Sequence, residues 1–93
     1  MEFKAETTGA RIKELRDNQK MKQADLAAVL HVSRNYVGMI EKGERIPGVS
    51  IYVAIADYFD VTLDYLLTGR SNEVLRTKLR VAMDLLRQVE RII

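Results

Sequence analysis

The sequence predicts an all-α protein, and two observations support this fold class. Apolar residues recur at intervals of three and four along most of the 93-residue chain, and no segment alternates long enough to predict a β-strand. Hydrophobic residues make up 47% of the chain and charged residues 30%, which is typical of one globular domain. We therefore predict five short helices followed by one long helix, without a second core.

The N-terminal region predicts a flexible arm and two helices. Residues 1–7 form the arm, and the first helix follows at about residues 8–18. The second helix spans residues 23–30, where Lys22 occupies the N-cap position although its side chain cannot accept a hydrogen bond. His31 lies where the chain must turn after this helix.

The next three helices are predicted from their capping residues. Ser33 caps the third helix, which ends before Gly43. Ser50 is expected to cap the fourth helix and Thr62 the fifth, which Gly69 terminates. The predicted core residues of the fourth helix share helical spacing, and they are Ile51, Ala54, Ile55 and Tyr58.

Composition excludes several classes of chemistry. The chain has no cysteine, which removes disulfides, thiolate metal sites and thiol catalysis. Its single histidine, His31, has no partners for a metal site or a catalytic relay. Asp57, Asp60 and Asp64 fit capping and helix-dipole roles better than a metal or acid/base cluster. We therefore expect no enzyme activity, no cofactor and no bound metal.

Charge is distributed unevenly although the net charge is only +2. Residues 47–69 contain three Asp and no Lys or Arg, whereas residues 1–46 and 70–93 are net basic. An acidic segment is repelled by phosphates, so any nucleic-acid surface should lie outside it. The sequence lacks a membrane-spanning run and a signal-peptide pattern, which favours a cytoplasmic location.

Residues 23–42 have the spacing of a helix-turn-helix, because two short helices are joined by a turn that forces a sharp angle between them. The chain carries the segments RIKELR, QADLA, VSRNYV, IEKGERIP and VTLDYLLTG in order between residues 11 and 69. With these motifs it resembles the lambda-repressor-like (Cro/CI, XRE) family of prokaryotic DNA-binding regulators. The resemblance implies a five-helix DNA-binding domain, here residues 8–69, whose third helix enters the major groove of double-stranded DNA.

Helical-wheel geometry tests this assignment independently. When Val37 and Ile40 face inward, Asn35, Met39 and Lys42 lie on the opposite face, and Arg34 and Tyr36 flank them. An amide and a guanidinium on such a face can bind base edges. We predict that Arg34, Asn35 and Met39 contact bases, with a solvated or phosphate-binding Arg34 as the alternative.

The phosphate contacts are expected at the ends of the second and third helices. By resemblance to the family, Gln23 binds a backbone phosphate, and Tyr36, Lys42 and Arg45 are further candidates. The resemblance also implies a partly buried salt bridge between Arg16 and Glu41 that supports the scaffold.

Gly38 lies in the middle of the third helix, where glycine costs about 1 kcal/mol relative to alanine. Two interpretations are open. The glycine either lets the helix approach DNA closely or relieves a clash inside the protein.

Residues 70–93 form a predicted dimerisation helix. Apolar residues recur there with heptad spacing, and a second apolar stripe of Val74, Val81, Leu85 and Ile92 runs beside them. One stripe could cover the five-helix unit while the other meets a partner chain, or the helix could fold back entirely on its own domain. The predicted dimer interface consists of Leu75, Leu79, Ala82, Leu86, Val89 and Ile93.

These observations predict a transcriptional regulator, most often a repressor in this family, that binds a pseudo-palindromic operator as a homodimer in the cytoplasm, at the nucleoid. The alternative is a protein-interaction module that retains the fold, such as an antirepressor or an antitoxin-like subunit. The exposed polar face of the third helix favours DNA, because protein-binding surfaces are usually more apolar at their centre.

Overall fold

The computed structural model describes residues 3–70 and 73–92, with side-chain surroundings for residues 3–70 and 79–90. These residues form only α-helices and no strands, as predicted. The helices are α1 (Ala5–Asn18), α2 (Gln23–Leu30), α3 (Arg34–Lys42), α4 (Val49–Phe59), α5 (Leu63–Thr68) and α6 (Glu73–Ile92). Within the described ranges, no helix is long and apolar enough to cross a membrane.

Local capping chemistry defines most of the helix ends. The Ser33 hydroxyl accepts a hydrogen bond from Tyr36 N at 3.1 Å, and the Thr62 hydroxyl accepts one from Tyr65 N at 3.0 Å. His31 has a φ of 57° and Gly43 a φ of 77°, both in the left-handed region. These features confirm the predicted caps of α3 and α5 and the predicted turns after α2 and α3.

Two predicted helix starts are wrong. Helix α1 begins at Ala5, so residues 5–7 form its first turn and are not part of a flexible arm. Ala5 and Glu6 favour this extension, because alanine is a strong helix former and an acidic residue in the first turn complements the helix dipole. Helix α4 is capped by Gly48 and starts at Val49, so Ser50 lies within its first turn.

The buried face of α4 also differs from the predicted one. Ala54 and Tyr58 are exposed and Ile51 is half-buried, whereas Ile55 is buried as expected. Since α4 is apolar on almost every side, its periodicity alone does not select a single face. The residues of α4 that enter the core are Tyr52, Ile55, Ala56 and Phe59.

The core lies between α1 and the α2–α3 pair and is closed by α4 and α5. Val32 is only partly buried, unlike the other residues of the shared core that the helix-turn-helix pattern predicts, which are Leu26, Leu30, Val37 and Ile40. The Phe3 ring meets the Tyr52 ring edge-on, with 6.2 Å between their centroids. The remaining buried members are Ile12, Leu26, Ala27, Leu30, Val37, Ile40, Ile55, Ala56, Phe59 and Leu66.

Helix α6 presents its apolar side chains to solvent. Every residue from 79 to 90 is exposed, including Leu79, Leu85 and Leu86 at 58%, 57% and 64%. The expectation that one stripe covers the five-helix unit, and the alternative of a helix folded back on its own domain, are therefore wrong for this described part of α6. The sequence also predicts that Ser71 or Asn72 caps this helix, and both residues lie outside the described ones.

Glycine allows α1 to pack directly against the end of α3. A Cβ atom at Gly9 would overlap the carbonyl oxygens of Ile40 and Glu41, which are backbone atoms of α3. At Gly43, a Cβ would lie 2.6 Å from Glu6 N, again a backbone atom. The two helices therefore touch through bare backbone at two neighbouring points.

We expect Gly9→Ala to lower the free energy of unfolding by about 3 kcal/mol or more, because rigid backbone cannot give way to the added methyl. Thermal and urea unfolding measure this change. Gly48→Ala is the matched control, since a Cβ there has nothing within 4 Å, and its effect should stay within about 1 kcal/mol. Equal stabilities of the two variants would contradict the close approach of α1 and α3.

Candidate nucleic-acid interface

A buried ion pair holds the first three helices in register. Arg16 Nε donates to Glu41 Oε2 at 2.7 Å, and Arg16 Nη2 donates to Glu41 Oε1 at 3.0 Å. Both residues are 7% exposed, and Arg16 Nη1 also donates to the carbonyl of Met21 at 2.8 Å. The structure therefore contains the Arg16–Glu41 salt bridge that the family resemblance implied, with the parallel geometry that makes such pairs strong.

The surroundings of Arg16 favour its charged form. Its hydrogen bond to Glu41 raises the pKa of the guanidinium, burial opposes this, and the charges of Glu41 and Asp17 raise it further. A buried charge of this kind is tolerated only while its partner is present.

The same carboxylate orients the Gln23 side chain. Gln23 Nε2 donates to Glu41 Oε1 at 3.0 Å, across the gap between α2 and α3. Because an ionised carboxylate only accepts hydrogen bonds, the NH2 end of the amide must face Glu41. One N–H and the carbonyl oxygen of Gln23 remain for other partners.

Helix α2 begins without a side-chain cap from Lys22, as expected for a residue that has no acceptor. The carboxylate of Asp25 instead accepts a hydrogen bond from Lys22 N at 2.8 Å. This bond holds the first turn of α2, where Gln23 is the first residue.

A surface cavity of about 450 Å³ opens beside the exposed face of α3, and we call it the α3 recess. Arg34, Asn35 and Lys42 are exposed along it, and Met39 is half-buried. The recess thus brings together five of the predicted DNA contacts from two helices. Its lining consists of Gln23, Arg34, Asn35, Gly38, Met39, Lys42 and Glu44.

The other two predicted phosphate contacts form a separate pair. The Arg45 guanidinium lies over the Tyr36 ring, 5.6 Å from its centroid. Tyr36 is half-buried and packs against the core, so its ring forms a platform for an exposed cation. Neither residue lines the α3 recess.

Sequence reasoning missed Glu44 as part of this surface. Glu44 is exposed, and its backbone N–H donates to the carbonyl of Met39 at 2.9 Å. Glu44 is acidic, and an acidic side chain is not expected to bind DNA, although Glu44 lies just two residues after Lys42 in the EKGER segment. Its carboxylate lowers the positive charge of the recess.

Two members of the acidic trio, Asp60 and Asp64, have the structural roles expected for them. Asp60 ends α4 with a φ of 56°, and Asp64 lies in the first turn of α5. Among the residues described, no group of three His, Cys, Asp or Glu side chains could hold a metal ion.

Comparison with known proteins identifies the family. Residues 12–66 match the model of a helix-turn-helix family, which is more than half of the chain. The chain belongs to this helix-turn-helix family, of the lambda-repressor-like (XRE) type. The fold class and the family resemblance are therefore confirmed.

Relatives of this helix-turn-helix protein are transcriptional regulators. It is 37% identical over 62 residues to the HTH-type transcriptional regulator YqaE of Bacillus subtilis, covering 67% of this chain and 53% of that protein. It is 34% identical over 59 residues to the HTH-type transcriptional activator BcrR of Enterococcus faecalis, covering 63% of this chain and 29% of that protein. The chain thus spans about half or less of the curated relatives it matches, and their function is not an enzymatic one.

A solved structure shows the same fold with higher mutual coverage. The P22 c2 repressor, in a crystal structure with synthetic operator 9T, superposes with a TM-score of 0.64 and is 30% identical. The match covers 68% of this helix-turn-helix protein and 96% of the repressor chain.

Replacing Arg16 by methionine should lower the free energy of unfolding by about 3–5 kcal/mol, because Glu41 would remain buried without its partner. Differential scanning calorimetry measures the change. The control is Lys13→Met in the same helix, which removes an exposed pair with Asp17 at 3.2 Å and should change stability by less than about 1 kcal/mol. Indistinguishable melting temperatures for the two variants would refute the importance of the buried pair.

Proposed function

We propose that this chain is a sequence-specific DNA-binding transcriptional repressor that occupies a pseudo-palindromic operator as a homodimer. The observation that carries this proposal is the α3 recess, where side chains able to bind bases and phosphates lie together. The P22 c2 repressor, described with its operator, supports DNA as the partner.

Base contacts are assigned to the exposed face of α3. Arg34 can donate two hydrogen bonds to guanine O6 and N7, and Asn35 can pair with adenine N6 and N7. Met39, half-buried on the same side, offers an apolar surface to a thymine methyl group. Each bidentate contact discriminates between bases by about 1–3 kcal/mol.

Phosphate contacts surround these base contacts. Gln23 has an N–H left for a phosphate oxygen after its hydrogen bond to Glu41, and Lys42 supplies a charge across the α3 recess. Arg45, stacked on Tyr36, offers a second cationic site beyond the recess. Such contacts fix the position of the protein on the duplex without selecting sequence.

Repression requires only that the operator be occupied. The 30% identity to the P22 c2 repressor favours this mode. The activator BcrR is a much longer protein, of which this chain covers 29%.

Dimerisation is assigned to α6. Three residues of the predicted interface are more than half exposed, namely Leu79, Leu86 and Val89. Exposed apolar side chains of this kind would be buried by a second copy of the chain. Ala82 is exposed too, whereas the side chain of Leu75 and the residue Ile93 lie outside the described side chains. Two copies joined here could place their α3 helices about 34 Å apart, one turn of DNA.

A protein-interaction module is the second candidate, and the exposed apolar side chains of α6 favour it. Such a module would associate with another protein through α6 and leave the α3 recess without a function. Binding-site selection separates the two candidates, since an antirepressor or antitoxin-like subunit without DNA binding would enrich no sequence.

We expect Asn35→Ala to relax the base preference at one position of each half-site and to weaken the best site by about 1–3 kcal/mol. Binding-site selection with quantitative titration measures both effects. Lys42→Ala is the matched control, because losing a phosphate contact should weaken all sequences equally and reduce the salt slope by about 1. Unchanged preference at every position in Asn35→Ala would overturn the assignment.

Exchanging Leu79 and Leu86 for glutamine should convert the dimer to a monomer, because the exchange removes apolar side chains from the seam while keeping good helix formers. Sedimentation at micromolar concentration measures the mass. The control exchanges Arg80 and Arg87, on the polar face of the same turns, for glutamine and should stay dimeric. A monomeric mass of the unaltered chain, with and without DNA, would contradict the homodimer.

A further inference from the structure

Gly38 differs from three other glycines of the five-helix unit in having no packing reason to be glycine. Its φ is not positive, and a Cβ added there would lie 3.7 Å from both Nε2 and Oε1 of Gln23, an ordinary van der Waals distance. By contrast, a Cβ at Gly9, Gly43 or Gly69 would collide with neighbouring atoms. The interpretation that Gly38 relieves a clash inside the protein is therefore wrong.

The helix itself would be more stable with alanine at this position. Gly38 is the fifth of the nine residues of α3, and glycine in the interior of a helix costs about 1 kcal/mol relative to alanine. A position that lowers stability and serves no internal contact points to a requirement outside the folded chain.

The surroundings of Gly38 define what would occupy the space above it. It lies in the lining of the α3 recess, one helical turn after Arg34 and one before Lys42. The open space at Gly38 is bounded by the amide of Gln23, which Glu41 holds in place. Glu44 also lines the recess and offsets one positive charge. The two cations and the fixed amide N–H around bare backbone still form a surface suited to an anionic oxygen group.

We propose that Gly38 is the point of closest approach to DNA, where the backbone phosphate already assigned to Gln23 lies against the bare helix. This inference rests on the proposed function and adds a positioning role to a residue that has no side chain. The added methyl of an alanine would occupy the volume between the Gln23 amide and the phosphate.

The test is Gly38→Ala in the full chain. We expect a melting temperature about 4–8 °C higher, from the gain in helix propensity. We also expect DNA affinity to fall about tenfold or more, the equivalent of one hydrogen bond to a charged oxygen. The base preference should stay the same, because a phosphate contact carries no sequence information.

Two further variants make the assignment specific. Gly48→Ala adds the same methyl outside the recess, where nothing lies within 4 Å, and should leave DNA affinity unchanged. Gln23→Ala removes the amide, so the Gly38→Ala change should weaken binding less in that background than in the unaltered chain.

The outcomes separate this inference from the proposed function. If the unaltered chain enriches no DNA sequence, the proposed function fails. If it binds DNA and Gly38→Ala binds equally well, the close approach fails. A changed base preference, or effects of Gly38→Ala and Gln23→Ala that simply add, would overturn the placement of the phosphate at Gln23.

Discussion

The buried pair of Arg16 and Glu41 is the interaction on which the rest of the structure depends. It joins α1 to α3 through two parallel hydrogen bonds, and Arg16 also binds the Met21 carbonyl ahead of α2. The same carboxylate then fixes Gln23. The scaffold and the candidate binding surface therefore share one charged group, so we expect a change that loosens the bridge to displace the amide that faces the α3 recess as well.

This arrangement is possible only because α1 and α3 approach very closely. Gly9 and Gly43 remove the side chains that would otherwise separate the two helices near Glu41. Arg16 lies two turns after Gly9 along α1, so the contact at Gly9 sets the distance that the guanidinium has to span. At Gly9, at Gly43 and at Gly69 beside Arg11, a Cβ would collide with other atoms of the same chain. At Gly38 it would not.

Most features governed by neighbouring residues could be predicted from the sequence. Among the distant contacts, the Arg16–Glu41 bridge was expected from the family resemblance, and the others were not predicted. Ser33 and Thr62 cap their helices because a hydroxyl reaches a backbone N–H three residues away. The role of Gly9 depends on a helix thirty residues further along the chain, which no local pattern contains. In the candidate site, the helical wheel of α3 predicted which cations and amides lie on the exposed face. It did not predict Glu44, because an acidic residue is not expected on a surface that binds phosphates.

A net charge of only +2 fits a protein that selects sequence instead of binding any DNA. Non-specific affinity grows with the number of phosphates that cations neutralise, and Glu44 offsets part of the charge of Arg34 and Lys42 in the α3 recess. With few cations, one copy of the chain would bind its half-site only weakly. Joining two copies through α6 would restore affinity, because the second recess then binds at a high effective concentration. In the proposed homodimer, base contacts would supply specificity and duplication would supply affinity, which would account for both the modest charge of the five-helix unit and the exposed apolar side chains of α6.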